Sequence, residues 1–295
     1  MRVRHTAAAC TAAVLSLTLA ACGGGDDTAS PVPSEEVQEF PADSTMAQFA
    51  DAGKIKVGTK FDQPLFGLKG LSGDPEGFDV EVAKLVAGKL GIEEDGIEFI
   101  ESISKNRQDF LKNGTVDFIV ATYTINAERD TEVDFAGPVV VAGQGILVKE
   151  GNPEGIEAAE DLNGKTVCSQ EGSTSAKNIT SMFPEATLKL LGGYAECADA
   201  MRDGTDGIVA VSTDDLILAG IAANNEGDFE VLDATFTEEP YGIGLPEGQE
   251  DFCEFVNEVI ADAYENGELQ KIFDETIGAV VERELEQPEP YGCDT

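Results

Sequence analysis

Histidine is almost missing from this chain. Of its 295 residues only His5 carries an imidazole, and His5 lies in an N-terminal stretch that reads as a segment to be removed. The remainder therefore has no imidazole for a serine–histidine relay, for a general base near neutral pH or for a metal. Cysteine is scarce too: there are six, and no two have the CxxC spacing of a zinc tetrathiolate. Neither metal nor cofactor is expected. Basic residues are few, with 19 Lys and Arg against 57 Asp and Glu and a formal charge of −38. Such a chain repels phosphate backbones and anionic headgroups, which excludes nucleic acid as a partner. Beyond the N-terminus there is no apolar run long enough to span a bilayer. Carboxylate pairs remain able to do acid–base chemistry, so catalysis is weakened as a reading and not excluded.

What is present begins with Arg2 and Arg4, followed by an apolar stretch from Ala7 to Leu19. It is too short to span a membrane comfortably. It ends at Leu19-Ala20-Ala21-Cys22, which resembles a bacterial lipobox: small residues fit a peptidase groove and the thiol takes lipid. Residues 1–21 are thus expected to be a signal peptide and Cys22 the lipidation site. More than one acyl chain would anchor the protein stably on the outer, extracytoplasmic face of the cytoplasmic membrane. Residues 22–44, rich in Gly, Ser, Pro and acids, read as a flexible tether. Loss of Arg2 and Arg4 leaves a charge of about −40 and 17 basic residues. About 250 residues remain, enough for two lobes with separate cores.

Strand and helix patterns alternate. Ile55 to Gly58, Ile97 to Ile100 and Val116 to Val120 read as strands. Phe78, Val82, Leu85, Val86 and Leu90 make one helical stripe, and Arg107 to Asn113 a short helix closed by Gly114. Pro138 to Val148 reads as extended. The pattern then repeats: strand Lys165 to Cys168, helix Ser175 to Met182, strand Thr187 to Leu191, helix Ala195 to Arg202, strand Ile208 to Val211, helix Asp214 to Ala223. Asp251 to Val281 is helical. This is an α/β chain with two mainly parallel sheets. Lobe one is expected over 45–147 and 246–295 and lobe two over 148–245. Two hinge strands would cross near Gly143 to Lys149 and near Tyr241 to Leu245. Strand carboxyl ends from both lobes would then face one cleft. An exported chain with Cys168, Cys197, Cys253 and Cys293 argues for two disulfides. Three pairings are possible, and Cys168–Cys197 with Cys253–Cys293 is preferred because each pair falls inside one lobe.

Three stretches carry chemistry. In the block from Ala121 to Arg129 a buried strand ends in hydroxyls, and Arg129 follows Thr124 by five residues. An arginine fork matches a carboxylate; a surface ion pair with Glu128 or Asp130 is equally open. Gly172-Ser173-Thr174 before a helix suits an anion site or plain capping. Asp214, between a strand and a helix, suits an ammonium group or another cap.

Together with Gly77-Phe78-Asp79-Val80, Asn113-Gly114-Thr115-Val116-Asp117, Asp161-Leu162-Asn163-Gly164-Lys165 and Tyr241-Gly242-Ile243-Gly244-Leu245-Pro246, these stretches resemble the bacterial extracellular solute-binding proteins that feed polar amino acid ABC transporters. The likeness is strongest to actinobacterial glutamate-binding lipoproteins. It implies a two-lobed, type II periplasmic-binding-protein-like fold with a two-strand hinge. It also implies a monomer that hands an amino acid to a permease and catalyses nothing. By resemblance, Arg129 holds the ligand α-carboxylate, helped by Thr124, Thr122, Ser173 and Thr174, and Asp214 holds the α-ammonium. Lys60 and Arg107 meet a side-chain carboxylate, with Ser104, Gln170 and Tyr194 as further contacts. Enteric acidic amino acid binders have arginine where Lys60 stands. A ligand such as glutamine or asparagine, and a cyclohexadienyl or arogenate dehydratase on the same fold, are the competing readings.

Overall fold

A computed structural model describes residues 39–71 and 73–293. The expected signal peptide, Cys22 and the tether as far as residue 38 lie outside the described residues.

The first lobe opens with α1 (Thr45–Ala52), capped by the Ser44 hydroxyl accepting from the Ala47 amide, and closed by left-handed Gly53. Next come β1 (Ile55–Thr59), the small hairpin β2 (Asp62–Gln63) and β3 (Gly67–Leu68), α2 (Phe78–Lys89), β4 (Ile97–Glu101), α3 (Arg107–Lys112), β5 (Phe118–Thr124), the single turn α4 (Ala127–Asp130) and β6 (Asp134–Ala142). The second lobe holds β7 (Gln144–Lys149), β8 (Thr166–Gln170), α5 (Thr174–Met182), β9 (Thr187–Leu191), α6 (Tyr194–Arg202), β10 (Ala210–Asp214), α7 (Asp215–Ala223) and β11 (Phe229–Val231). Then β12 (Glu239–Leu245), α8 (Glu250–Glu265) and α9 (Glu268–Thr276) return to the first.

Sequence explains the placement. All seven residues of β5 are buried, as befits a central strand covered on both faces. Helix α2 lays Phe78, Val82, Ala83 and Val86 into the core, with Asp79 and Glu81 in its first turn and Lys89 in its last, charges that suit the helix dipole. It starts at Gly77, φ 127°, where a Cβ would lie 2.6 Å from the Phe66 carbonyl; a glycine is required there.

The first sheet has the order β4-β1-β5-β12-β6, the second β11-β7-β10-β8-β9. Pairing is parallel for β4–β1, β1–β5, β10–β8 and β8–β9. It is antiparallel wherever β6, β7, β11 or β12 takes part. Each sheet is thus mixed, because strands that enter and leave a lobe through the hinge run against the βαβ units.

The hydrogen bonding moves three expected bounds. The extended stretch expected over Pro138 to Val148 is two strands broken at Gly143. The second of them, β7, pairs with β10 from Gln144 to Val148 and so belongs to lobe two, not lobe one. Conversely β12 pairs with β5 and β6 and belongs to lobe one, not lobe two. The chain therefore changes lobes at Gly143 and between Leu232 and Glu238. Finally, Phe40, inside the expected tether, packs edge-on against Phe255 of α8, an aromatic anchor that composition alone conceals.

Disulfides link Cys168 of β8 to Cys197 of α6, and Cys253 of α8 to Cys293. The second pins the C-terminal segment, whose Tyr291 amide donates to the Gly137 carbonyl. No helix among the described residues is long and apolar enough to cross a membrane. No group of three or more His, Cys, Asp or Glu among them could hold a metal ion.

Candidate functional site

The sequence-predicted residues converge where the carboxyl ends of β1, β5, β8 and β10 meet. Lys60 follows β1; Ser104 and Arg107 begin the turn into α3; Thr122 and Thr124 end β5; Arg129 lies on α4. From the other lobe, Gln170 ends β8, Ser173 and Thr174 start α5, Tyr194 starts α6 and Asp214 ends β10. Ten of the eleven are buried, and Thr174 is half-buried.

The lobes touch through these side chains. The Lys60 ammonium donates to Ser104 Oγ at 3.0 Å and to Gln170 Oε1 at 2.7 Å. Ser104 also donates to Gln170 Oε1, at 2.7 Å. The Gln170 amide nitrogen is engaged by the Gly192 carbonyl at 2.6 Å, so Gln170 turns its acceptor toward the lysine. Thr124 and Thr174 hydroxyls stand 3.4 Å apart across the cleft. Arg129 Nη1 donates to the Thr124 carbonyl at 2.5 Å and Nη2 to the Gly172 carbonyl at 3.4 Å. The surface pair of Arg129 with Glu128 or Asp130 does not form; Glu128 binds Lys177 of the opposite lobe at 2.6 Å. A second rim pair, Lys105 to Glu171 at 2.7 Å, also crosses the cleft.

Arg107 donates from Nη1 to the carbonyls of Ala121 and Thr122 at 2.9 and 3.2 Å, and its guanidinium lies 4.1 Å from the Tyr123 ring centroid. Ser173 caps α5 through the Ala176 amide at 3.0 Å, so the capping reading holds for it. It does not hold for Asp214, which has no cap bond. Asp214 accepts instead from the Tyr241 hydroxyl at 2.6 Å and from Ser175 at 3.4 Å, while Asp215 takes the Leu216 and Gly143 amides.

The chain as a whole is matched elsewhere. Residues 55–279 fit the model of the bacterial extracellular solute-binding proteins, family 3. The chain belongs to that family. The glutamate-binding protein GluB of Corynebacterium glutamicum is 34% identical over 90% of this chain and 88% of its own. The glutamine-binding protein of Geobacillus stearothermophilus is 39% identical over 82% and 92%. The solved structure of a solute receptor for L-cysteine of Neisseria gonorrhoeae superposes with a TM-score of 0.74 at 31% identity, over 80% of this chain and 95% of that one. The fold is thus the expected two-lobed type II arrangement, and the chain is a solute-binding protein and not an enzyme.

The electrostatics of this solute-binding protein centre on three buried cations. Among the described residues no carboxylate lies within 4.0 Å of Lys60, Arg107 or Arg129. Burial first, then Arg107, pulls Lys60 from 10.5 to about 7. Burial and then Arg129 pull Arg107 to about 9. Burial pushes Asp79 and Asp214 up to about 7; for Asp214 the carboxylate of Glu239 adds to the effect and Tyr241 opposes it.

Sequence reasoning missed several groups here. Asp79 accepts from the Thr122 amide at 2.9 Å, holding Thr122 at φ 44°. Gln63 accepts from the Thr122 hydroxyl at 3.1 Å. Tyr123 underlies the arginines, and Tyr241 holds Asp214. Asp79 and Tyr241 stand in stretches already notable as sequence markers, yet only the fold shows which way their side chains turn.

Proposed function

We propose that this protein is the lipid-anchored capture component of an amino acid ABC importer, and that it closes its two lobes around an acidic amino acid, glutamate or aspartate. The observation that carries the reading is the trio of buried cations with no carboxylate in contact among the described residues. Buried charge is ordinarily paired. Here the buried acids face neutral donors: Asp79 the Thr122 amide, Asp214 the Tyr241 hydroxyl, and Glu239 the side chains of Thr237 and Asn178. An anion that enters the cleft supplies the missing partner and restores the charged form of Lys60.

In this reading Arg129 takes the α-carboxylate, with Thr122, Thr124, Ser173 and Thr174 around it. Asp214 takes the α-ammonium. Lys60, steered by Ser104 and Gln170, takes the side-chain carboxylate with Arg107 behind it, and Tyr194 closes the second lobe's side. The protein works as a monomer held to the outer face of the cytoplasmic membrane through Cys22, and delivers its ligand to a permease. Glutamine is the second reading, favoured by the likeness to the Geobacillus protein at 39% identity. Isothermal titration of the mature protein with glutamate, aspartate, glutamine and asparagine decides. A dicarboxylate should bind at least about tenfold tighter than either amide, a difference of about 1.4 kcal/mol. An amide that binds tighter than both acids overturns the acidic-ligand reading.

A further inference from the structure

Two guanidinium groups are held over one aromatic ring. Arg107 lies 4.1 Å and Arg129 4.9 Å from the centroid of Tyr123. The two cations repel each other, and Arg129 is the second cause, after burial, of the depressed value of Arg107. Among the described residues no carboxylate contacts either one. A tyrosine face is a negative quadrupole that attracts cations most strongly where water is excluded, and Tyr123 is fully buried. The ring is itself clamped. Phe135 meets it edge-on at 4.8 Å, and on β12 a Cβ at Gly244 would come within 2.7 Å of its Cε1.

Both threonines flanking this residue in β5 are cleft residues, and Tyr123 points to the opposite side of the strand, into a cluster with Leu111, Ile119 and Phe135. It is therefore not a ligand contact. Tyr123, Arg107, Arg129, Phe135 and Gly244 all belong to the first lobe. Among the described residues only one hydrogen bond of the group reaches the second lobe, that of Arg129 Nη2 with the Gly172 carbonyl at 3.4 Å.

We propose that Tyr123 is a positioning residue: its ring gathers the guanidinium groups of Arg107 and Arg129 into one buried, doubly cationic platform, so that neither needs a protein carboxylate and both stay available to an anionic ligand. The proposal rests on the ligand roles given above for the two arginines. The tyrosine hydroxyl has no hydrogen-bond partner among the described residues, so the ring face is the working part and phenylalanine should serve as well.

The test has two readouts. In the ligand-free protein, side-chain NMR of Arg107 and Arg129, assigned with Arg107→Lys and Arg129→Lys, should show upfield ring-current shifts. These should persist in Tyr123→Phe and vanish in Tyr123→Leu. Absence of the shifts in the wild type overturns the placement. The second readout is affinity for whichever amino acid the wild type binds most tightly, measured with phenylalanine, 4-fluoro-, 3,5-difluoro- and 3,4,5-trifluorophenylalanine at position 123. Fluorination barely alters size but drains the ring face. Affinity should fall stepwise, by at least about tenfold across the series. A flat series overturns the proposal, since a ring that only fills space would give one. Failure of the acidic-ligand reading is separate: it shows as an amide preference in the wild type, and leaves the ring series to be read with that ligand.

Discussion

Replacing Lys60 by methionine should make the ligand-free protein more stable and its glutamate binding far weaker. The side chain is completely buried, and burial has drawn its ammonium from 10.5 to about 7. At about 1.4 kcal/mol per pH unit, that amounts to about 5 kcal/mol set against the charged form in the closed cleft. Methionine is of similar length and removes this penalty. It strands neither neighbour, because Ser104 and Gln170 already bond each other at 2.7 Å. Opening of the cleft relieves part of the penalty in the wild type, so a gain of at least about 1 kcal/mol, or about 2–4 °C in Tm, is expected. The sign with pH follows. Between about 7 and 10.5 the unfolded chain keeps the lysine proton and the folded protein has released it. Wild-type stability from this group therefore rises with pH across that window, and the methionine variant lacks the rise. Glutamate, left with an unpaired carboxylate, should lose about 2–5 kcal/mol of affinity; glutamine, losing a hydrogen bond, about 1 kcal/mol. Calorimetric melting and paired titrations measure both halves. A lower Tm, or equal loss for the two ligands, would refute the reasoning.

Arg129→Ala should weaken every amino acid ligand by about 2–5 kcal/mol, and titration within tenfold of wild type would contradict the clamp. Asp214 titrates near 7 when folded, against an ordinary 3.8. Its contribution to ligand-free stability is full below pH 3.8 and lost as pH rises through 7, so denaturant melts of Asp214→Asn should fall less between pH 4 and 7, by about 2 kcal/mol or more. Non-reduced digests should yield Cys168–Cys197 and Cys253–Cys293 peptides, and opening either bond, which spans 29 or 40 residues, should cost about 4 kcal/mol. Cys22→Ser should release the protein from cells into the medium; retention on salt-washed membranes would exclude the lipid anchor.

The elements with strong periodicity were legible from sequence. The strand over Thr187 to Leu191 matches residue for residue, and the α2 stripe differs only at its last residue. Bounds failed where tertiary pairing decides them. The strand expected over Val116 to Val120 runs instead from Phe118 to Thr124, because Tyr241 pairs opposite Thr124 and keeps polar residues in the ladder. Lobe membership of β7 and β12 is likewise a matter of partners, which local pattern does not carry. In the site, the arginine, lysine and hydroxyl positions were visible through spacing and resemblance. Asp79 and Tyr123 were not. An acid in a helix's first turn is ordinarily a dipole partner, and an aromatic in a buried strand is ordinarily core. Their other duties emerge only from what the fold sets beside them.

Gly172 marks a place where the two lobes come to rest against each other. A Cβ there would fall 2.7 Å from the Lys105 Cα, so where the lobes meet at the rim of the cleft the glycine sits directly against Lys105. Lys60 and Gln170 bond each other across the cleft, so a substitution at either removes a lobe-bridging contact, whereas the Gly172 seat does not involve them. A sensor engineered on this scaffold would therefore have to replace the lobe-bridging bonds that Lys60 and Ser104 make with Gln170 whenever it rewrites recognition there.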